Sequence, residues 1–167
     1  MGHREHREQA ASNIGCAVLT VSDTRDEAQD TSGRRIQEKL EAAGHRIIRY
    51  RIVPDEAWAI GWALQEWCAD EAIDAVLVNG GTGIARRDIT PETVESLLER
   101  RLDGFGERFR SRSQEQVGSA AYLSRAVAGV RNSTLIYALP GSSRAVELAL
   151  ESLILPEIGH IVGELRK

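Results

Sequence analysis

The sequence predicts an α/β fold, a three-layer α/β/α sandwich with a mainly parallel central sheet. The main observation is that short apolar segments of β-type composition alternate along the chain with segments of helical periodicity. Such alternation favours parallel strands, because each return crossing is made by a helix that packs on a face of the sheet. The composition agrees, since 42% of the 167 residues are hydrophobic and 28% are charged, which suits a domain with a substantial core.

The first half of the chain is predicted to contain three strands and two helices. Residues 14–21 form a continuous apolar run, which is typical of a buried strand. A helix is predicted over residues 30–43, where either of the first two side chains could cap it. Residues 46–53 alternate apolar and charged side chains, as in a half-exposed strand, and a second helix opens after Pro54. The apolar run at residues 73–78 predicts a strand that is buried on both faces.

The second half is predicted to be mainly helical, with one clear strand. The strand covers residues 134–139, whereas residues 126–130 could be either a strand or an extended link. The predicted helical segments are 91–98, 104–117, 144–153 and a final piece that starts at Pro156.

Composition limits the class of protein. The net charge of −4 and the pI near 5.6 argue against a nucleic-acid-binding surface, which needs a basic face. No apolar run approaches the ~18 residues that cross a membrane, and residues 1–13 lack the apolar core of a secretion signal.

Cys16 and Cys68 lack metal-binding spacing, so we expect buried free thiols. We predict a cytoplasmic protein with a disordered N-terminal arm, residues 1–13, and one domain, residues 14–167.

Polar or glycine-rich groups follow four of the predicted strands. In an open parallel sheet, ligands bind at the carboxyl ends of the strands. The four loops would therefore form a single crevice, although turn-forming residues are also common at strand ends for purely structural reasons. The groups are Ser22-Asp23-Thr24, Pro54-Asp55-Glu56, Gly80 to Gly83 with Asp88, and Pro140-Gly141-Ser142-Ser143.

The third of these loops carries the strongest signal for anion binding. It consists of Gly80, Gly81, Thr82 and Gly83. A glycine turn between a strand and the helix start at Thr90-Pro91-Glu92 lets the backbone approach an anion closely. The loop is not a P-loop, because Ile84-Ala85 stand where a Lys-Ser/Thr pair is needed. It is not the dinucleotide-binding fingerprint either, because that motif has a different glycine spacing and follows the first strand of the fold.

Charged side chains close to the loops suggest a phosphate and a magnesium ion. Asp55 and Asp88 are candidate ligands, because Mg²⁺ prefers one or two carboxylates together with substrate phosphates. Arg86 and Arg87 could clamp a phosphate in a bidentate manner. Structural alternatives stay open: Asp55 could cap a helix, Asp88 could pair with an arginine, and both arginines could lie on a solvated face.

The sequence lacks a convincing pair of nucleophile and base. His45 and His160 are isolated, and Ser142 and Ser143 precede a helix, where serine commonly caps the helix or binds an anion. A serine hydrolase is therefore not favoured. The pattern suits a reaction that depends on positioning and charge neutralisation, such as phosphoryl or nucleotidyl transfer.

Taken together, these motifs resemble the MoaB/MogA family of molybdenum cofactor biosynthesis proteins, which includes the gephyrin G domain. The resemblance extends from about Ile14 to Leu155 and is greatest to the MoaB branch. One departure is Asn79, where a small hydroxyl residue is frequent in the family. The matching stretches are Val21 to Thr24, Ile52 to Glu56, Gly80 to Gly83 with Arg86 to Glu92, Gly104 to Glu107, Leu123 to Ala126 and Leu139 to Ser142.

The resemblance implies binding of molybdopterin, a pterin dithiolene, and transfer of AMP from MgATP to its terminal phosphate. Asp55 and Asp88 would be the catalytic and magnesium-binding pair. The family also implies a homotrimer or a hexamer built from trimers, and we expect its interface within residues 105–130. The substrate-binding positions predicted from the motifs and the resemblance are Ser22, Asp23, Gly80, Gly81, Thr82, Gly83, Arg86, Glu107, Ser124, Arg125, Pro140, Gly141 and Ser142.

Two other functions remain compatible with the sequence. The first is a protein of the same fold that binds molybdopterin or a nucleotide without turnover. The second is a nucleotide pyrophosphatase, because the fold also occurs in competence-damage proteins. Release of pyrophosphate that depends on magnesium would separate the transferase from the binding protein, and hydrolysis of ADP-ribose would indicate the pyrophosphatase.

Overall fold

The computed structural model describes residues 11–167, which are built around a six-stranded sheet. The strands are β1 (Gly15–Val21), β2 (Arg46–Val53), β3 (Ala75–Asn79), β4 (Arg100–Arg101), β5 (Val127–Arg131) and β6 (Thr134–Leu139). The helices are α1 (Thr31–Ala42), α2 (Ala57–Cys68), α3 (Thr90–Leu97), α4 (Asp103–Val117), α5 (Ser143–Ala149) and α6 (Leu155–Leu165). A 3₁₀ turn (Gly118–Leu123) follows α4, and a π-helical turn (Leu150–Ile154) joins α5 to α6.

The strand order is β2-β1-β3-β6-β5-β4, and the four strands from β2 to β6 in this order run parallel. β5 pairs antiparallel with β6, and the edge strand β4 pairs antiparallel with β5, so the predicted mainly parallel α/β fold is confirmed. The register aligns the carboxyl ends of the parallel strands, since Asn79 pairs with both Thr20 and Leu139, and Val21 pairs with Val53. The loops after β1, β2, β3 and β6 therefore leave the sheet at the same edge.

The side chains of the sheet pack into two apolar layers, one on each face. In β1, Cys16 and Val18 face the layer that contains α1, α4, α5 and α6, whereas Ala17 and Leu19 face α2 and α3. Burial on both faces explains why this strand is continuously apolar. Cys16 and Cys68 are buried free thiols, as predicted, and burial raises the pKa of Cys16 to about 12 and that of Cys68 to about 11.

Three elements differ from the sequence-based expectation or resolve it. Residues 126–130 were compatible with a strand or a link, and β5 is a strand. The two-residue strand β4 was not predicted, because so short a segment has no detectable periodicity. The two predicted C-terminal helices join through the π-helical turn ahead of Pro156, which lies in the first turn of α6.

The predicted N-terminal arm, residues 1–13, lies mainly outside the described residues. Within its last part, the Ala11 N–H donates to the Gly159 carbonyl of α6 at 2.9 Å. From residue 11 onwards, every helix is too short or too polar to span a bilayer.

Candidate functional site

A crevice of about 600 Å³ opens at the carboxyl edge of the parallel strands. Its walls come from the loops after β1, β2, β3 and β6, and the end of the 3₁₀ turn closes one side. The predicted convergence of four loops on one crevice is therefore confirmed. The predicted site residues that line it are Ser22, Asp23, Asp55, Gly80, Gly81, Thr82, Gly83, Asp88, Ser124, Pro140 and Gly141.

Four other predicted site residues lie beside the crevice and not in its wall. Arg86 is exposed on the loop beyond the glycines. Ser142 is the N-cap of α5, where its Oγ accepts a hydrogen bond from the Ala145 N–H at 3.2 Å. Glu107 and Arg125 line a neighbouring cavity of about 480 Å³. The crevice and this cavity share Ser124, so the two spaces are adjacent.

Backbone geometry requires glycine at two positions of the loop after β3. Gly80 and Gly81 have φ angles of +99° and +65°, in the left-handed region that side chains disfavour. A Cβ on Gly80 would lie 2.2 Å from the Val21 carbonyl oxygen, and the Gly80 N–H donates to the Leu139 carbonyl at 3.0 Å. The loop is therefore seated between the ends of β1 and β6, and the crevice is lined there by backbone.

Asp55 lies half-buried in the crevice wall, with its carboxylate close to Gly81. Its backbone N–H donates to Asp23 Oδ1 at 3.0 Å, and within residues 11–167 no side chain donates to the Asp55 carboxylate. Burial, followed by the charges of Asp23 and Asp88, raises the pKa of the Asp55 carboxyl. The proposed helix cap is wrong, because Glu56 occupies the N-cap position of α2 and its side chain makes no capping bond.

Asp88 belongs to the turn that follows the glycines. Its Oδ2 accepts a hydrogen bond from the Ala85 N–H at 2.8 Å and lies 2.7 Å from the position that a Cβ on Gly83 would take. The alternative that Asp88 pairs with Arg86 or Arg87 is not found in residues 11–167, because Arg87 bonds Asp23 and Glu56 and Arg86 is exposed to solvent. The Asp88 carboxylate is therefore held by backbone and lines the crevice.

Arg87 ties together the loops after β1, β2 and β3. Its Nε donates to Asp23 Oδ2 at 2.6 Å, and its Nη2 donates to Asp23 Oδ1 at 3.1 Å and Glu56 Oε1 at 3.1 Å. The same Nη2 lies 3.3 Å from the Asp55 carbonyl oxygen. Hydrogen bonds from Arg87 lower the pKa of the Asp23 carboxyl. The expected phosphate clamp of two arginines is not assembled, since Arg87 bonds protein carboxylates.

Arg125 holds the glycine loop from the opposite side. Its Nη2 donates to the carbonyl oxygens of Gly83 and Asp88, each at 2.6 Å, and its Nε donates to Gly83 at 2.9 Å. Its Nη1 pairs with Glu92 in the first turn of α3. The guanidinium therefore fixes the loop that carries Asp88, and it reaches the crevice only through that loop.

Arg25 is a crevice residue that the sequence did not indicate. Its Nη1 donates to Ser32 Oγ at 3.0 Å and to the Gly141 carbonyl at 3.3 Å, which places a positive charge in the wall. Its backbone N–H donates to Ser22 Oγ at 3.1 Å. The only available signal was its position directly after the Ser22-Asp23-Thr24 motif.

A buried polar network supports the floor of the crevice. Asp30 caps α1 by accepting from the Gly33 N–H at 3.0 Å, and it also accepts from Thr20 Oγ1 at 2.6 Å and Tyr50 Oη at 2.7 Å. Asn79 joins this network, since its Oδ1 accepts from Ser32 Oγ at 2.8 Å and its Nδ2 donates to Thr20 Oγ1 at 2.9 Å. Asn79 is fully buried beneath the crevice and does not line it.

The acidic residues suit a divalent cation that is completed by oxygens from a ligand. Within the described part of the chain, no group of three or more His, Cys, Asp and Glu side chains is arranged as a complete metal site. Asp55 and Asp88 line the same crevice, and the charge of Asp88 contributes to the raised pKa of Asp55. Because Mg²⁺ is commonly held by one or two carboxylates, waters and substrate phosphates, this donor set fits a magnesium–nucleotide complex.

Comparison with known proteins gives matches over nearly the whole chain. Residues 17–160 match the family described as "Probable molybdopterin binding domain". The chain is 49% identical to molybdenum cofactor biosynthesis protein B of Bacillus subtilis (strain 168), over all of this chain and 99% of that protein.

Solved structures of related proteins also match nearly the whole chain. A tungsten cofactor synthesizing protein MoaB from Pyrococcus furiosus superposes with a TM-score of 0.85 at 38% identity, covering 95% of this chain and all of that one. A MogA structure superposes with a TM-score of 0.80 at 27% identity, covering 90% of this chain and 99% of that one. The higher identity to the MoaB protein agrees with the branch that the sequence motifs indicated.

Proposed function

The chain belongs to the MoaB/MogA family of molybdenum cofactor biosynthesis proteins, and on that premise we propose that it is a molybdopterin adenylyltransferase. The substrates of this reaction are MgATP and molybdopterin, and the products are adenylyl-molybdopterin and pyrophosphate. The observation that carries the proposal is the glycine loop with a half-buried carboxylate on each side, Asp55 and Asp88, in an open crevice.

The proposed reaction joins two anions. An oxygen of the terminal phosphate of molybdopterin attacks the α-phosphorus of ATP, and the bond from that phosphorus to the bridging oxygen of the departing pyrophosphate breaks. The attacking oxygen is already anionic, so no general base is needed. Magnesium, when bound, neutralises charge on the reacting phosphates.

Different residues of the crevice would bind the cation, the phosphates and the pterin ring. Asp55 and Asp88 would hold the cation, and the raised pKa of Asp55 indicates that a positive charge nearby is favourable. The glycines let the backbone approach the phosphates, while Arg25 supplies a positive charge in the wall. Leu123 and Pro140 add apolar surface against which a pterin ring could pack.

The test is an adenylyl-transfer assay with purified protein, molybdopterin, ATP and magnesium, in which pyrophosphate and adenylylated product are both measured. We expect Asp55→Asn and Asp88→Asn each to lower transfer by about 100-fold or more, the scale on which loss of one preorganised electrostatic group acts. Glu71→Gln is the matched control, because Glu71 is an exposed carboxylate ahead of β3, at the opposite edge of the sheet. We expect this variant to be fully active.

The other outcomes of this assay point to the alternative functions. Tight binding of molybdopterin without product would indicate a binding protein. Hydrolysis of ADP-ribose without pterin adenylylation would indicate a nucleotide pyrophosphatase. Full activity of Asp88→Asn would contradict the role given to that carboxylate.

A further inference from the structure

Thr90 carries a buried hydroxyl group that has no role in the reaction proposed above. It is the first residue of α3, it is 0% exposed, and its backbone N–H donates to the Gly81 carbonyl at 3.0 Å. In the described structure its Oγ1 has no hydrogen-bond partner. A buried hydroxyl without a partner is unfavourable, so such a group in a folded protein calls for an explanation.

The neighbouring threonine of the same helix shows what a structural hydroxyl does at this place. Thr93 is also buried, and its Oγ1 donates to the Ile89 carbonyl at 2.8 Å. Back-bonding of this kind is the usual way for a helical threonine to satisfy its hydroxyl. Thr90 is the first helical residue, so the residue four positions before it lies ahead of α3, and the helix offers its hydroxyl no carbonyl of this kind.

The Thr90 hydroxyl and the Asp55 carboxylate face the same point beside Gly81. A Cβ placed on Gly81 would lie 2.4 Å from Thr90 Oγ1 and 2.8 Å from Asp55 Oδ1. The space between the two oxygens stays open because residue 81 is a glycine. The unpartnered Thr90 hydroxyl is therefore a close neighbour of a carboxylate that no side chain in residues 11–167 pairs with, where Asp55 lines the crevice and Thr90 is fully buried beside Gly81.

We propose that Thr90 is a positioning residue, whose hydroxyl donates a hydrogen bond to the Asp55 carboxylate when a cation and nucleotide occupy the crevice. The bond would orient one carboxylate oxygen and leave the other directed at the cation. Hydrogen bonds of this kind from an outer layer of residues fix the orientation of metal-binding carboxylates. The inference rests on the role that the proposed function gives to Asp55.

The test compares Thr90→Val, Thr90→Ser and Thr93→Val with the wild-type protein. Mn²⁺ replaces Mg²⁺ as a paramagnetic probe, and its affinity is measured in the presence of ATP by water-proton relaxation. We expect Thr90→Val to weaken Mn²⁺ binding by about tenfold or more, because the outer-layer donor is lost. Thr90→Ser keeps the hydroxyl and should bind Mn²⁺ like the wild type.

Urea unfolding supplies the second readout, and the two threonines should respond in opposite ways. Thr90→Val removes a hydroxyl without a partner, so its unfolding midpoint should be at least as high as that of the wild type. Thr93→Val removes a satisfied hydrogen bond, so its midpoint should fall while its Mn²⁺ affinity stays unchanged. This contrast separates a positioning role from a structural one.

The inference is overturned if Thr90→Val binds Mn²⁺ as tightly as the wild type, or if its midpoint falls as far as that of Thr93→Val. A wild-type protein that binds no Mn²⁺ with ATP overturns it as well. Thr90-dependent Mn²⁺ binding without any pyrophosphate release would instead overturn the adenylyltransferase proposal and support the positioning role.

Discussion

Asp55 illustrates how a residue suited to binding a cation works against the stability of the free protein. Its carboxylate is half-buried, has the acidic neighbours Asp23 and Asp88, and pairs with no side chain of the described residues. Asp23 is in the opposite situation, because Arg87 bonds both of its carboxylate oxygens. The pKa is therefore raised for Asp55 and lowered for Asp23.

We expect Asp55→Asn to raise the Tm at pH 7. A folded-state pKa above the unfolded value means that the folded form binds the proton more tightly, and this stabilisation is lost as the pH rises through the raised pKa. Ionised Asp55 therefore favours unfolding at pH 7, and the neutral side chain removes that effect. Thermal unfolding at pH 7 and at about pH 3, below the ordinary carboxyl pKa, should show the gain disappearing at the lower pH.

Asp23→Asn is the matched control with the opposite sign. The lowered pKa of Asp23 stabilises the folded state above the unfolded pKa, and this contribution is lost as the pH falls. Its Tm at pH 7 should therefore decrease. A decrease for Asp55→Asn at pH 7 would show that the carboxylate has a stabilising partner in solution.

Arg86 and Arg87 are adjacent in sequence but differ in their contacts, and they form a second matched pair. We expect Arg87→Ala to lower adenylyl transfer strongly, because Asp23 and the loop carrying Asp55 lose their common anchor. The loss of stability should be small, since exposed ion pairs contribute little. Arg86→Ala should retain activity, and equal losses in both variants would show that Arg86 reaches the ligand.

At the scale of elements, the aligned ends of four parallel strands decide where the site lies. The pairing of Asn79 with Thr20 and Leu139 brings the glycine loop between the loops after β1 and β6. A Cβ on Gly141 would lie 3.1 Å from Gly80 Cα, so two of these loops touch through glycines. The buried network around Asp30 and Asn79 then joins α1 to β1, β2 and β3 beneath the crevice.

The glycine loop should tolerate no side chain at position 81. In Gly81→Ala, the residue would keep a positive φ of +65°, and its Cβ would overlap with Thr90 Oγ1 and Asp55 Oδ1. We therefore expect the variant to be destabilised by about 1–3 kcal/mol and to lose activity. Gly44→Ala is the control, because Gly44 also has a positive φ, +87°, but open space around it. It should lose about 1 kcal/mol through backbone strain and keep its activity. Denaturant unfolding and the transfer assay measure both effects, and an active Gly81→Ala variant would contradict the tight fit.

At the scale of the whole molecule, two pairs of large apolar side chains, besides Ile84 and Val117, are exposed in residues 11–167. Tyr122 and Leu123 lie on the 3₁₀ turn beside the crevice, within the segment where an interface was expected. Phe105, from the same segment, is packed inward against Tyr137, with ring centroids 5.0 Å apart. The second group, Trp58 and Trp62, lies one turn apart on α2 and was not predicted as a surface.

We propose that the chain assembles as the family resemblance implies, as a trimer or a hexamer, through the exposed end of the expected segment. Tyr122 is 76% exposed, and Tyr122→Glu should lower the mass measured by sedimentation because it places a charge where apolar contact is expected. Gln29→Glu adds the same charge at an exposed position outside residues 105–130 and should leave the mass unchanged. An unchanged mass for Tyr122→Glu would place the interface elsewhere, with the tryptophans of α2 as the next candidate.

Much of the fold could be predicted from local patterns. The continuous apolar runs of β1, β3 and β6 reflect burial on both faces, and the alternation in β2 reflects its place at the edge of the sheet. Asp30 marked the start of α1 because a helix cap depends on a single residue. The short β4 and the π-helical turn could not be predicted from local patterns. The strand β4 forms because it pairs with β5, and the π-helical turn depends on how α5 and α6 pack.

The sequence by itself determined the class of fold, the family and the loops that form the crevice, since these depend on periodicity and short motifs. The tertiary structure alone decided which polar groups meet, because hydrogen-bond partners here are far apart in the chain. Arg87 bonds Asp23 across 64 positions, and Arg125 bonds Gly83 across 42. Folding also places Arg25 in the crevice wall, leaves Arg86 exposed to solvent and brings the Thr90 hydroxyl close to Asp55. The order of residues along the chain does not indicate any of these positions.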